Sequence, residues 1–331
     1  MHSLLWRAAA RKREARGGTI LRDTTLGSQR RSDYLWGALF VIPSILLILA
    51  LKYYPLVLGV LNSLRQWTGT ESHYVGLANF ARMLGDTMVR QTFTNALKIA
   101  LTLPIWIFLP MVVSFLVYQR TPGWQFFRVV FFLPYTISPV IVGLIWRQIL
   151  HVQGPLNALL GALSAGALSP SWLGDKNLVL WTIDVVVLWS IFGFGIVTYL
   201  AGMATIDEEI FDAAAIDGAS FWTRLLRIVI PMLKPVMGYW AIICTAGMLV
   251  WMFPYLHSMT QGGPGFASML PDYLVYTVAF TFMEPGYGTA IGLVLFLFVA
   301  VISGFQVRYM YLSGAGKGEA GRRAARRGRK G

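Results

Sequence analysis

Five acids fall within eleven residues, at Asp207, Glu208, Glu209, Asp212 and Asp217, in a stretch that reads DEEIFDAAAIDGASFWTRLLRIVIPMLKP from Asp207 to Pro235. This is the one long polar segment between two apolar runs. Asp207 suits a helix N-cap and the acids after it suit a helix N-terminus. Ile210, Ala213, Ala214 and Asp217 recur at helical spacing, and Phe211 and Ala215 extend that face. Gly218 can take a left-handed conformation and stop the helix, and Ser220 can cap a second one, punctuated by Pro231 and Pro235. The expected product is a compact, small-residue-rich elbow of two short helices. Its chemistry is that of fitting into a partner.

Catalytic and metal-binding constellations are lacking. Cys244 is the one cysteine, and it stands in an apolar run. His2, His73, His151 and His257 show no ligand spacing, so neither a disulfide nor a metal site is expected. No G-x-x-x-x-G-K-[ST] phosphate loop occurs; Gly316-Lys317 lacks the upstream glycine. Three ionisable residues lie inside apolar runs, Lys52, Lys98 and Asp184. Charges at that depth pair, line a cavity or snorkel. Lys98 and Asp184 each stand six residues into a run, about 9 Å at helical rise, so an ion pair or an outer cavity between them is expected. Trp189, Ser190, Phe192, Trp251 and Tyr255 form a palette that suits a sugar, which stacks on aromatic faces and needs hydrogen bonds. The same residue types also serve as packing or interface anchors.

The elements that must position these residues are membrane helices. The 331 residues are 56% hydrophobic and 13% charged, against about 25% charged in an average soluble domain. Runs long enough to cross a bilayer occur at about 35–61, 92–118, 127–147, 178–203, 236–256 and 287–308. Residues 152–174 and 257–286 also lack the length or continuity to cross, being broken by Gly and Pro; the first reads as a loop with a short helix. The fold class expected is therefore all-α integral membrane, with six transmembrane helices and the elbow 207–235 between the fourth and fifth.

Charge sets the orientation. With the N-terminus inside, the four cytoplasmic segments hold 21 Lys and Arg and the three outer segments 5, as the positive-inside rule asks. The net charge of +13 sits largely in the tails. It fits topology and anionic lipid better than nucleic acid. Residues 1–34 read as a basic cytoplasmic arm, with a short helix possible over Leu4–Ala10 and no secretory cleavage site. Residues 35–310 form the transmembrane domain, and 311–331 a basic disordered tail. The chain is expected in a bacterial-type plasma (inner) membrane, multi-pass, both termini cytoplasmic.

In residue order the elbow resembles the EAA coupling motif of ABC importer permeases: glutamate-Ala-Ala, then Asp-Gly-Ala three positions on, then an Ile/Pro-rich end. Here these are Asp212-Ala213-Ala214, Asp217-Gly218-Ala219, and Ile230-Pro231 with Pro235. Two departures stand out, aspartate for glutamate at 212 and Asp207 where proline is usual. Further points are similar to the carbohydrate-uptake permeases of maltose and glycerol-phosphate type: Tyr54-Pro55, Gly76-Leu77-Ala78-Asn79-Phe80, Phe132-Leu133-Pro134 and Trp172-Leu173. So are Thr260-Gln261-Gly262-Gly263-Pro264-Gly265, Tyr276, Ala279-Phe280 and Gly286-Tyr287-Gly288-Thr289-Ala290. The Gly-Gly-Pro segment looks more like the first permease of such importers than the second. The likeness covers about 35–310.

The resemblance implies one half of a heterodimeric sugar path in a binding-protein-dependent importer. Its partners would be a second homologous permease, two ATP-binding subunits and an extracytoplasmic solute-binding protein, with lipid around it and no nucleic acid. ATP and Mg would be bound by the ATPase subunits and no cofactor by this chain, which is not expected to be an enzyme. Coupling would fall to Phe211 as an apolar anchor, Asp212 as a polar contact, Ala213 and Ala214 as close-approach positions, and Asp217, Gly218, Ala219 and Pro231 as the shape of the elbow. Asp184, Trp189, Phe192, Trp251 and Tyr255 are the candidates for the substrate path. An ion-coupled secondary transporter is the competing class, although no convincing inverted repeat relates 35–147 to 178–308. A membrane scaffold would not need the elbow, and an intramembrane enzyme would need a base or metal ligands at membrane depth.

Overall fold

The structure, a computed structural model, describes residues 36–327 apart from 38, 69, 70, 120–122, 165 and 167. The basic arm 1–34, with the helix expected over Leu4–Ala10, lies outside the described residues. The chain divides into two units between Leu61 and Asn62. The first is dominated by α1 (Leu39–Ser63), whose last two residues belong to the second unit. Inside α1 the residues Leu49–Tyr53 form a π-turn just before Pro55. Proline has no N–H to bond back into the preceding turn, and a widened turn absorbs the mismatch.

The second unit opens with a β-hairpin that the sequence reading does not anticipate. β1 (Arg65–Thr68) pairs antiparallel with β2 (Glu71–Tyr74), Arg65 opposite Tyr74. Then follow α2 (Ala78–Gly85), α3 (Thr87–Ala100), α4 (Leu103–Tyr118), α5 (Trp124–Phe132), α6 (Pro139–Ile149), α7 (Pro155–Leu163) and α8 (Val179–Met203). Next come α9 (Glu208–Ile216), α10 (Phe221–Met232), α11 (Lys234–Val250), α12 (Phe253–Met259), α13 (Pro271–Tyr276) and α14 (Pro285–Arg327).

Among the described residues four helices are long and apolar enough to cross a membrane: α1, the run Thr87–Tyr118 made of α3 and α4, α8, and Pro285–Arg308 of α14. Two helix pairs are bent sharply near prolines that the sequence marks as breaks. Over 127–147 the chain turns by 102° between Trp124–Thr136 and α6. The first arm ends at Thr136 with Ile137 extended, ψ 137°, and Pro139 keeps Ser138 out of the helical region at ψ 134°. Ahead of the expected span 236–256, where the elbow is expected to end, α10 and α11 meet at 79°, and α11 ends at Val250. The tail also differs from expectation. Helix α14 continues through 311 to Arg327, where disorder is predicted; Ala and Arg are strong helix formers and no proline interrupts them.

The core of the second unit forms where α4, α8 and α11 meet. Trp106, Phe115, Tyr199 and Trp240 are fully buried there, and the Trp240 indole donates to the Trp106 carbonyl at 2.9 Å. Gly195 makes this packing possible: a Cβ at 195 would run into the Trp240 indole on α11 and Pro110 on α4. One polar latch ties α2 and α3 to the start of α14. Arg82 Nη1 donates to Glu284 Oε2 at 2.6 Å, and the guanidinium lies 4.1 Å over the Tyr287 ring. Tyr287 Oη donates to Asp86 Oδ2 at 2.7 Å, while Asp86 Oδ1 accepts the Met88 amide as the N-cap of α3.

Candidate functional site

Between α8 and α11 the chain folds as the two short helices expected. Helix α9 ends in a hydrogen-bonded turn: the Gly218 amide donates to the Ala215 carbonyl at 3.1 Å and the Ala219 amide to Ala214 at 2.9 Å. Gly218 has φ +71°, so the left-handed residue is the glycine that can adopt it without strain. Ser220 Oγ accepts the Thr223 amide at 3.3 Å and starts α10. Asp207 stands at the N-cap of α9 in extended conformation, yet its side chain makes no capping bond, contrary to expectation.

The two faces of α9 differ. Phe211 turns inward, its ring 5.4 Å from that of Tyr118 and 6.1 Å from that of Phe115. Phe221 lies 5.0 Å from the same Phe115 ring. Phe211 therefore anchors the elbow to its own transmembrane body, where the sequence reading makes it a contact to a partner. Ala214 and Ala219 are half-buried on this side and Pro231 is half-buried within α10. Asp212, Ala213, Asp217 and Gly218 are exposed. The outward face carries an apolar residue that the sequence reading passes over: Ile216 is 87% exposed, with Trp222 at 59% beyond the turn. The signal was available, since Glu209, Asp212, Ala213 and Ile216 share one helical face.

A second candidate region is a cavity of about 560 Å³ between α4, α8, α11 and α12. Its wall includes Trp251 and Tyr255 from the expected set, with Ser190, Phe194 and Trp240. Tyr255 Oη donates to Ser190 Oγ at 2.9 Å, and Tyr135 stacks on Phe194 at 4.9 Å. The rest of the expected set goes elsewhere. Trp189 packs edge-on against Trp146 and Phe192 against Phe131, at 5.3 and 5.7 Å. Asp184 is buried against Thr102 and Trp106. The pair expected between Asp184 and Lys98 does not form. Thr92, Asn95, Ala96 and Ile99 make the buried stripe of α3, and Lys98 faces away from it, exposed.

The Gly-Gly-Pro loop after α12 is held from within. Asn95 Nδ2 donates to the Phe266 and Met269 carbonyls, both at 3.0 Å. Ser268 Oγ donates to the Gly263 carbonyl at 2.6 Å and lies 2.8 Å from Thr260 Oγ1. Asp272, at the start of α13, accepts the Tyr273 amide at 2.8 Å and lies against Met252 and Phe253. Burial pushes its carboxyl up to about 6, against the backbone amides of Tyr273 and Phe253, which favour the charge.

The chain shares this architecture with a bacterial ABC transporter involved in the import of the acidic polysaccharide alginate. The TM-score is 0.74 and the identity 19%, over 86% of this chain and 98% of the other. The bacterial alginate ABC transporter in complex with alginate pentasaccharide-bound periplasmic protein is similar at TM-score 0.73 and 20% identity, over 83% and 93%. In sequence, the chain is 30% identical over 280 residues to the multiple sugar-binding transport system permease protein MsmF of Streptococcus mutans, which covers 82% of this chain and 94% of that protein. The chain belongs to the ABC transporter permeases. No family model matches it. This permease is a multi-pass membrane protein, and permease subunits of this kind are transport components, not enzymes. Among its described residues no group of three or more His, Cys, Asp and Glu side chains could hold a metal ion.

Proposed function

We propose that this permease forms half of the path by which an ATP-driven importer takes up a sugar or related polar solute. The observation that carries the reading is the exposed face of α9, with Ala213, Ile216 and Asp217 arrayed ahead of a left-handed Gly218 and Asp212 at its edge. A membrane protein that exposes isoleucine and tryptophan on a short polar element has a partner for them. That partner is an ATP-binding subunit, which binds ATP and Mg and hydrolyses ATP. The elbow lies in its groove as a helix-in-groove contact.

Six spans result when each bent pair crosses once, and the Lys and Arg distribution then puts both termini and the elbow in the cytoplasm. The transmembrane domain is 35–310, flanked by the basic arm 1–34 and the basic tail 311–331, in a bacterial-type inner membrane. A second homologous permease completes the path, and an extracytoplasmic binding protein delivers the solute. The name of MsmF and the periplasmic protein seen with the alginate transporter support these assignments. Trp251 and Tyr255 on the wall of the 560 Å³ cavity are the proposed solute contacts, a stacking face and a hydroxyl.

Co-purification tests the partners: a stable complex with an ATPase and a second permease is expected. Solute transport by this chain alone in liposomes, driven by an ion gradient, would refute it. A binding screen on the extracytoplasmic partner identifies the solute class, with carbohydrates expected among the ligands.

A further inference from the structure

A second cavity, of about 630 Å³, opens between the elbow and the ends of α4, α5 and α8. Its wall is unusual for a site in the path of coupling. It holds two guanidinium groups, Arg128 of α5 and Arg224 of α10, and two carboxylates, Glu208 and Asp212 of α9. These opposite charges do not neutralise one another. Among the described residues the ion pairs are His73–Glu71 and Arg82–Glu284, so neither arginine has a carboxylate within 4.0 Å. Arg224 Nε is buried without a hydrogen-bond partner. A buried donor left unmade costs about 1–3 kcal/mol, more when charged, so such a group calls for a ligand atom.

An apolar groove of about 430 Å³ continues from this cavity and shares Arg128 and Val197 with it. It runs along Val129, Phe132 and Leu133, on the outside of the bent pair. Trp124, at the start of α5, stands at the rim of the polar cavity; indole rings favour the level of the lipid headgroups. A polar chamber with two cations and two anions, joined to a hydrocarbon-lined groove, is complementary to a molecule of the same pattern.

We propose that the cavity and groove hold one glycerophospholipid of the inner leaflet with a primary-amine headgroup. Its phosphate lies between Arg128 and Arg224, its ammonium points toward Glu208 and Asp212, and an acyl chain follows Val197 and Leu133. An anionic lipid without an amine meets the two carboxylates unfavourably, which makes the pocket selective and not merely basic. The ligand also joins α5 to α9, two elements that meet the core separately, and so braces the elbow from behind. The inference takes the inward orientation of the elbow from the function proposed above. Lipid retention is read without nucleotide, so its failure leaves the coupling role untouched.

The test uses the assembled transporter in detergent micelles doped with equal phosphatidylethanolamine and phosphatidylglycerol, with bound lipid read by native mass spectrometry. The wild type is expected to retain phosphatidylethanolamine in preference. The R128Q/R224Q pair is expected to bind it about thirtyfold more weakly, roughly fivefold per guanidinium, and R128K/R224K to restore it in part. E208Q/D212N should keep a lipid but lose the preference over phosphatidylglycerol. Val197→Trp, which fills the junction and removes no charge, should expel the lipid; it carries the test if the arginine pair does not assemble. Equal retention by wild type, R128Q/R224Q and V197W overturns the proposal. So does displacement of the lipid by millimolar inorganic phosphate, which would make this a site for soluble phosphate. Crosslinking of a photoreactive residue at 133 to the second permease instead of to lipid would also overturn it.

Discussion

The elbow and the Gly-Gly-Pro loop are both Gly-punctuated connections between helices, and they are held in opposite ways. The loop at 260–270 is tied by side chains that reach its carbonyls, with Asn95 bonding two and Ser268 a third. The elbow from α9 into α10 is fastened to the body through two aromatic rings, Phe211 and Phe221, and leaves Ile216 and Trp222 in the open. A connection with its polar groups satisfied internally is a fixed part of the scaffold. One that hangs from two apolar anchors and exposes others can move as a unit and engage something else.

The comparison can be broken at its strongest point with Gly218→Asp. No atom lies within 4 Å of a Cβ built at Gly218. The left-handed backbone therefore costs about 1–3 kcal/mol and the protein is expected to remain inserted. The new charge projects into the docking face, and uptake is expected to fall at least about a hundredfold while ATP hydrolysis persists, as desolvating an unpaired charge in an interface costs several kcal/mol. Normal uptake by this variant, measured with labelled solute in proteoliposomes, would remove the elbow from coupling.

Asn95→Ala sharpens the other side. It strips one buried and one part-buried carbonyl of their donor, and a loss of about 2 kcal/mol is expected. The readout is a lower melting temperature in detergent, with the ATPase subunits still bound. If N95A instead left stability intact and released the ATPase, the two regions would have exchanged roles.

Ile216→Ala should do the reverse: leave the melting temperature unchanged and weaken ATPase binding about tenfold, the scale of a single apolar hot spot. Titration of the solubilised permease complex with the ATPase subunit measures it. Phe211→Ala is predicted to lower stability as well as coupling, because that ring faces inward.

The smallest effect expected is at Asp272. Its folded pKa, about 6, stands above the ordinary aspartate value. The folded state therefore holds the proton more tightly, and stability falls as pH rises from about 4 through 6. Asp272→Asn is expected to flatten that part of the profile and to raise the melting temperature at pH 8. A profile unchanged by the substitution would mean that the carboxyl is not confined as described.

The elbow was legible because every feature that shapes it is local. The acids after Asp207, the left-handed Gly218 and the Ser220 cap act within a few residues, so order and spacing suffice. The bends were legible in place but not in size. Prolines at 134, 139 and 235 announce a break, but only the neighbouring helices decide whether a broken run continues straight or turns by 102°. The solute candidates fared unevenly because aromatic type says nothing of direction. Trp189 and Trp251 read alike, yet one packs against Trp146 and the other faces the cavity.

Composition alone determined that this is a helical membrane chain and where along it the polar elbow falls, since hydropathy sums over many residues and tolerates local error. Tertiary structure decided which face of the elbow is free. Phe211 and Ile216 are both apolar residues of one short helix, and only the positions of Phe115 and Tyr118 make the first an internal anchor and leave the second exposed. It also brought Arg128 and Arg224, far apart in sequence, to one cavity. Long-range juxtaposition of that kind depends on how helices cross, and no spacing along a single chain records it.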